Sequence, residues 1–283
     1  MRGGSLDELV ILDKINAGKR GPFTRSFVSR LDLLVFCRRG HIQTGVLRVE
    51  WTWSELRADL IRSAELSRRL CILAAVFAVA MCFAWVIDVP VAAYFRPKTH
   101  SDSLHKLVSF AEVFAHGLGV AWILLTVFVL DVHQRCRLPR IVTAIVAAGM
   151  SANLIKLIVG RIRPRELAVD QVWDSFIGWF PRFHAELRHG LHPGDCESMP
   201  SGHAAVATAL AIGLSLLYPR GRWLFACFAV LASLQRVESC AHYASDALGG
   251  AALGCLIWAA FFDRRGLGRL FDWWESSQVR CPS

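Results

Sequence analysis

Residues 200–218 read PSGHAAVATALAIGLSLLY, a short polar turn followed at once by an apolar run. Ser201 is a preferred N-cap residue, and Gly202 allows a ligand to approach the backbone closely. The turn therefore presents free N–H groups and the positive end of a helix dipole to an anion. His203 completes the same turn. We interpret it as a phosphate cradle that carries a histidine.

The composition of the 283-residue chain favours a polytopic membrane protein, because 54% of the residues are hydrophobic and only 19% are charged. The mean hydropathy is +0.40. The net charge of +9 does not indicate nucleic acid as a partner. The basic residues lie mostly between apolar segments, where topology determinants and contacts to anionic headgroups are expected.

Six apolar runs predict an all-α protein with six transmembrane helices. They cover residues 70–87, 113–130, 141–155, 204–218, 223–234 and 247–262. Several are shorter than the ~20 residues that cross a bilayer, so flanking polar residues must join the last helical turns. The runs define a membrane domain at 70–265, between a basic and partly disordered extension at 1–69 and a tail at 266–283. Residues 54–69 form either an amphipathic helix at the membrane surface or a solvated helix that leads into the first span.

Arginines predict the orientation of the six spans. Those at both ends and in the second and fourth loops would lie on one side of the membrane: Arg62, Arg68, Arg69, Arg135, Arg137, Arg140, Arg220, Arg222, Arg264, Arg265 and Arg269. By the positive-inside rule this side, with both termini, is cytoplasmic. The loops at 88–112, 156–203 and 235–246 then face outward.

The long third loop is rich in aromatic residues, which argue against disorder. We expect them to form a lid or a surface that meets lipid: Trp173, Phe176, Trp179, Phe180 and Phe183.

A first polar cluster, Lys156-x6-Arg163-Pro164, follows the third apolar run. Positions seven apart lie almost on one helix face, so we expect Lys156 and Arg163 to point to the same spot. A lysine in this position is costly unless it meets an anion or lines a wet cavity. Arg161 and Arg165 do not share that face, and we expect them to reach the lipid headgroups.

A second outward cluster, Arg236-x5-His242-x3-Asp246, follows the fifth run. The spacing predicts that Arg236 ends the fifth span and that His242 opens the sixth across a turn. His242 and Asp246 are four apart, so on a helix the carboxylate would hold one ring nitrogen and leave the other as the nucleophile. With the 200–203 turn, the clusters supply three cations, a helix N-terminus, two histidines and a carboxylate, a set suited to phosphoryl transfer without a metal or other cofactor.

In this order and spacing, the three clusters resemble the signature of the type-2 phosphatidic acid phosphatase superfamily, in its integral-membrane branch. The resemblance implies a site built from the third and fifth loops. It implies that His242 is the nucleophile, that Asp246 orients it and that His203 is the acid for the leaving group. The phosphate would be held by Lys156, Arg163, Ser201, Gly202 and Arg236. One departure is Gln235, where the family usually has serine; its amide can still donate a hydrogen bond to phosphate.

The sequence thus predicts a lipid phosphate phosphatase, placed in a bacterial inner membrane with its site on the extracytoplasmic face. Expected substrates are a polyprenyl diphosphate, phosphatidate, phosphatidylglycerol phosphate or the phosphates of a lipopolysaccharide anchor. Two alternatives stay open. One is a transferase, in which a lipid alcohol replaces water at the phosphohistidine, and the other is a non-catalytic transporter of phosphate-bearing lipids that uses the same cations.

The nine cysteines are an odd number and show no Cys-x-x-Cys pair, which argues against a disulfide framework and a zinc site. Because Cys196 and Cys240 each lie near a motif, a bridge between them is conceivable.

Overall fold

The structure is a computed structural model that describes residues 34–38, 41–45, 53–96, 102–166, 172–180, 192–263 and 267–278. The chain divides into two compact units, Met1–Arg62 and Ser63–Ser283. In the first unit, β1 (Leu34–Arg38) pairs with β2 (His41–Gly45) as an antiparallel hairpin. Most of the predicted disordered extension lies outside the described residues.

All six predicted apolar runs are helical, so the all-α prediction is confirmed in outline. The helices are α1 (Trp53–Phe95), α2 (Asp102–Ala111), α3 (Gly117–Leu130), α4 (Leu138–Ile158), α5 (Gly202–Leu217), α6 (Arg222–Glu238), α7 (Ala244–Phe262) and α8 (Gly268–Gln278). The second run is interrupted by a 3₁₀ turn, Glu112–Phe114, and the helices on either side are bent by 61°.

The segment predicted as an interfacial or solvated helix at 54–69 is the N-terminal part of α1, which continues into the first apolar run. The predicted boundary at residue 69 therefore falls inside one helix. The helix is 43 residues long, or about 65 Å, and so exceeds the ~30 Å hydrocarbon core of a bilayer.

Within the described residues, length and composition qualify three helical stretches as membrane spans: Ser63–Phe95, Val132–Ile158 and Ala244–Phe262. The bent pair that ends in α3 adds a fourth if it is counted as one span, and α5 is a shorter apolar helix. Large apolar side chains such as Phe83 and Val86 of α1 are 73% and 80% exposed. Such a surface is unusual for a soluble monomer and suits contact with lipid.

Small residues let α5 and α7 pack closely. Ala204, Ala205 and other alanines of α5 are fully buried. A Cβ on Gly250 would collide with the Ser201 carbonyl oxygen, and one on Gly254 would lie 2.8 Å from the Ala205 carbonyl oxygen. The Gly250-x3-Gly254 spacing therefore brings the two backbones together, as in other helix pairs with small residues four apart. This contact fixes the N-termini of α5 and α7 beside each other.

Part of the third loop folds into a small sheet. β3 (Val159–Arg161) directly follows α4 and pairs antiparallel with β4 (Phe176–Trp179). Phe176 packs against Trp85 of α1 at 6.0 Å between ring centroids. Trp173, Trp179 and Phe180 are more than half exposed, which agrees with the expected aromatic surface; Phe183 lies outside the described residues.

Replacing Gly250 by valine should destabilise the protein by about 2 kcal/mol or more, because the new side chain has no room against the α5 backbone. The measurement is the thermal unfolding midpoint in detergent. The control is Gly117→Ala, since a Cβ there meets nothing within 4 Å. An unchanged midpoint for Gly250→Val would show that α5 and α7 do not pack as described.

Candidate active site

Four helix ends meet at one end of the bundle: the C-termini of α4 and α6 and the N-termini of α5 and α7. Backbone hydrogen bonds join the polar clusters that these ends carry. The Ser201 N–H donates to the Asp246 carbonyl at 2.9 Å, and the Arg165 N–H donates to the Cys240 carbonyl at 3.1 Å. The three clusters predicted from the sequence therefore form one connected site.

The first cluster is brought together differently from the prediction. Lys156 lies in the last turn of α4, but the helix ends at Ile158 and Arg163 follows strand β3. The expectation that the two side chains share a helix face is therefore wrong. Lys156 is 8% exposed, and its Nζ would lie 3.8 Å from a Cβ on Gly202. Nε of Arg163 donates to the Gly194 carbonyl at 3.0 Å.

The turn at residues 200–203 opens a helix, as predicted. Ser201 is the N-cap of α5, and its hydroxyl accepts from the Ala204 N–H at 3.4 Å. Gly202 and His203 open the helix, and His203 is half-buried. His203 lies within electrostatic reach of Lys156 and Arg236.

Arg236 lies in the last turn of α6, as the spacing predicted, whereas His242 lies in the turn before α7 and does not open that helix. The Arg236 side chain is already partly neutralised, because its Nη1 pairs with Oε1 of Glu112 at 2.8 Å. Its Nε is buried and has no hydrogen-bond partner within the described part of the chain. The Nε–H group of Arg236 thus remains available to donate a hydrogen bond.

His242 is 3% exposed, and its Nδ1 lies 2.6 Å from the backbone carbonyl of Ser198. The carbonyl accepts a hydrogen bond from the Nδ1–H group, so the other ring nitrogen, Nε2, carries the lone pair. Asp246 Oδ2 lies 3.9 Å from Nδ1, beyond hydrogen-bond distance. The expected direct bond between carboxylate and imidazole is therefore replaced by a bond to a main-chain oxygen, because His242 precedes the helix that contains Asp246.

Asp246 is instead held by a buried arginine. Nη1 of Arg161 pairs with Asp246 Oδ1 at 2.5 Å, and its Nη2 pairs with Asp88 Oδ2 at 2.7 Å. The guanidinium carbon also lies over the rings of Tyr243 and Phe176, at 4.1 and 4.8 Å from their centroids. All three charged side chains are fully buried. The expectation that Arg161 reaches the headgroups is wrong, because β3 turns it into the protein interior.

The positive charges act on the histidine that they surround. Burial and the nearby Lys156, Arg163 and Arg236 hold the pKa of His242 well below its usual range, whereas the bond to Ser198 opposes this shift. Burial and the positive charges of Arg165 and Arg236 likewise lower the pKa of Arg163. The site therefore presents excess positive charge around a neutral imidazole, an arrangement that favours a bound anion and keeps the imidazole unprotonated.

The site can be compared with known proteins. The family model of the PAP2 superfamily matches residues 138–266, the stretch that carries all three clusters. A lipid A 1-phosphatase of Rhizobium etli is 31% identical over 187 residues, which cover 65% of this chain and 68% of the relative. The chain belongs to the PAP2 superfamily. A lipid A 1-phosphatase of Rhizobium johnstonii is 30% identical over 187 residues, covering 65% of this chain and 64% of the relative.

This membership makes the protein an enzyme, a membrane phosphatase that hydrolyses a lipid phosphate. No solved structure matches the chain.

Sequence reasoning missed several residues of this PAP2 site. Ser198, Asp88 and Arg161 all contact predicted site residues or their neighbours. One signal was available, because Asp88 directly follows an eighteen-residue apolar run. A carboxylate in such a place usually has a specific partner. The conceivable disulfide does not form, since Cys196 is free and the Cys240 thiol contacts the Ala92 carbonyl at 3.9 Å.

Replacing Arg161 by methionine should cost about 3–5 kcal/mol of stability, because it leaves Asp88 and Asp246 buried without their cation. The expected result is a large fall in the thermal unfolding midpoint of this PAP2 phosphatase in detergent. Arg165→Met is the matched control, since its side chain is 48% exposed and pairs at the surface, where the loss should stay below about 1 kcal/mol. Equal midpoints for the two variants would contradict the buried network.

Proposed function

We propose that this protein removes the phosphate of a lipid A-type anchor on the outer face of a bacterial inner membrane, through a phosphohistidine on His242 and without a metal ion. The observation that carries the proposal is the positive charge of Lys156, Arg163 and Arg236 that acts on the buried His242. The names of the two relatives, both lipid A 1-phosphatases, support this choice among the lipid phosphates that the sequence left open.

The first step is attack on phosphorus by the Nε2 lone pair of His242. The three cations, the Ser201 hydroxyl and the Gly202 N–H would hold the phosphoryl oxygens and offset the charge that builds up on them. The bond to the lipid oxygen breaks, and protonated His203 gives that oxygen its proton, so the lipid leaves as a neutral alcohol. The phosphoryl group remains on His242.

The second step is hydrolysis of the phosphohistidine. The now neutral His203 takes a proton from a water molecule, which attacks phosphorus and breaks the N–P bond. Inorganic phosphate leaves and His242 regains its lone pair. The proton taken from water replaces the one that His203 gave to the lipid, so one water is consumed and one phosphate is released in each cycle.

The charge of the site supports a reaction without a metal. The three side chains that would contact the phosphate are cations, which repel a divalent metal ion and can themselves neutralise the phosphoryl oxygens. Asp246 and Asp88, the buried carboxylates nearest to the site, are already paired with Arg161.

We further propose that all six apolar helices span the membrane, with the site outside and the termini inside. One ion pair and one hydrogen bond, at opposite ends of the helix bundle, support the alternating directions of the helices. Glu112 pairs with Arg236 at the site end, and Asp131 accepts from the Tyr218 hydroxyl at the other end, at 3.1 Å. Arg140 and Arg222, at the starts of α4 and α6, lie at the end away from the site, which the positive-inside rule assigns to the cytoplasm.

The proposed function is tested by phosphate release from detergent-purified protein with EDTA present. The substrates are lipid A, undecaprenyl diphosphate, phosphatidate and phosphatidylglycerol phosphate, and mass spectrometry identifies which phosphate of lipid A is lost. We expect release from lipid A that survives EDTA and is lost in His242→Ala. The control is His133→Ala, an exposed histidine between α3 and α4.

Each other outcome has a definite meaning. Release by His242→Ala at the wild-type rate would exclude His242 as the nucleophile, and loss of release in EDTA would exclude the metal-free reaction. Preference for another lipid would overturn the proposed substrate. Release only when a lipid alcohol is added, with the phosphate transferred to it, would identify the transferase. Binding of lipid A without release from any substrate would favour the transporter.

The lowered pKa of His242 predicts the pH dependence of the free enzyme. The nucleophile loses its lone pair when it is protonated, so kcat/KM falls as pH drops through this pKa. We expect this acid limb well below the ordinary histidine value of about 6.5. Arg163→Gln removes one of the cations that lower the pKa, so its acid limb should move to higher pH. Arg165→Gln, which changes a cation not among those acting on His242, should leave the limb in place; equal shifts in both variants would contradict the assignment.

A further inference from the structure

One residue outside the three predicted clusters stands between Asp246 and His242. Ser198 is fully buried, and its hydroxyl donates to Asp246 Oδ2 at 2.6 Å. Its backbone carbonyl accepts from His242 Nδ1, also at 2.6 Å. The two residues that the sequence paired directly are thus connected through both ends of this serine.

The serine is also fixed to the buried arginine. The Ser198 N–H donates to the Arg161 carbonyl at 3.0 Å, while the Arg161 side chain binds the same Asp246 that receives the Ser198 hydroxyl. Ser198 is therefore held at its N–H and at its hydroxyl by two buried partners. Its carbonyl contacts His242, the proposed nucleophile.

We propose that Ser198 is the positioning residue of the nucleophile, and that Asp246 and Arg161 act on His242 through it. This inference rests on the proposed function, in which His242 attacks phosphorus. The Ser198 carbonyl keeps the proton on Nδ1 and sets the angle of the ring, so that Nε2 carries the lone pair toward the phosphate. Asp246 thus fixes the position of Ser198, and Ser198 fixes the orientation of the His242 ring.

Loss of the Ser198 hydroxyl should affect kcat and KM differently. The carbonyl remains in Ser198→Ala, but it is no longer anchored to Asp246, so the imidazole loses its fixed direction. Because the cations that bind the phosphate are untouched, KM should stay within about threefold of wild type while kcat falls about tenfold or more. Ser198→Thr keeps a hydroxyl and should recover most of kcat.

Ser245 provides a matched control in the same buried cluster. Its side chain is also fully buried, and its hydroxyl accepts a hydrogen bond from Arg161 and donates one to Asp88. Ser245→Ala should therefore lower the thermal midpoint to an extent similar to Ser198→Ala. Its kcat should remain within about threefold of wild type, because Ser198 keeps its bonds to Asp246, Arg161 and His242 in this variant.

The deciding experiment is a double-mutant cycle on kcat with Ser198→Ala, Asp246→Asn and the combined variant. If Asp246 acts through Ser198, the double variant should be no more than about threefold slower than Asp246→Asn alone. Multiplied effects of the two changes would show that Asp246 acts on His242 independently of Ser198 and would overturn the inference. An equal fall in kcat for Ser245→Ala would reduce Ser198 to a structural role and overturn it as well.

Failure of this inference can be told apart from failure of the proposed function. Activity in His242→Ala would remove the nucleophile and with it any role for a residue that positions it. An inactive His242→Ala variant together with wild-type kcat in Ser198→Ala would leave the phosphohistidine mechanism intact and exclude only the positioning role.

Discussion

The guanidinium of Arg161, fully buried between Asp88 and Asp246, is the constraint on which the site depends. A charge in the interior is tolerated only when its partners surround it in good geometry. Those partners come from α1 and from the first turn of α7, whereas the arginine itself ends β3. The buried ion pairs therefore tie these three elements together, and they fix Asp246, whose Oδ2 also accepts from Ser198, the residue bonded to His242.

Two arginines close together in the chain have opposite electrostatic roles. Burial alone would lower the pKa of Arg161, but Asp246 and Asp88 outweigh that effect and raise it. For Arg163 the outcome is the reverse, because burial, Arg165 and Arg236 lower its pKa more than Asp195 and Glu197 raise it. The protein thus neutralises one positive charge as part of its framework, and the proposed function assigns the other to an anionic ligand. An anion-binding site needs both, since a rigid frame is what keeps like charges close together.

The sequence predicted the helices well and the contacts between side chains less well. All six apolar runs are helical, and the turn at Ser201 caps a helix as expected. The two inferences that assumed a continuing helix failed. Arg163 lies beyond the end of α4, and His242 lies before the start of α7. In both cases, spacing along the chain correctly indicated residues of one site, but the chain reaches that site through a strand or a turn.

By itself, the sequence determined where the apolar helices lie, which polar clusters interrupt them and to which family the chain belongs, because hydrophobic runs and motif spacing are local properties. Only the tertiary structure decided what each polar group contacts. In the structure, Asp246 binds Arg161 and Ser198, His242 binds a main-chain carbonyl, and Arg236 binds Glu112. The physical reason is that a buried charge or ring nitrogen takes whichever partner the packing of distant segments brings within hydrogen-bond distance, and chain spacing does not encode that distance.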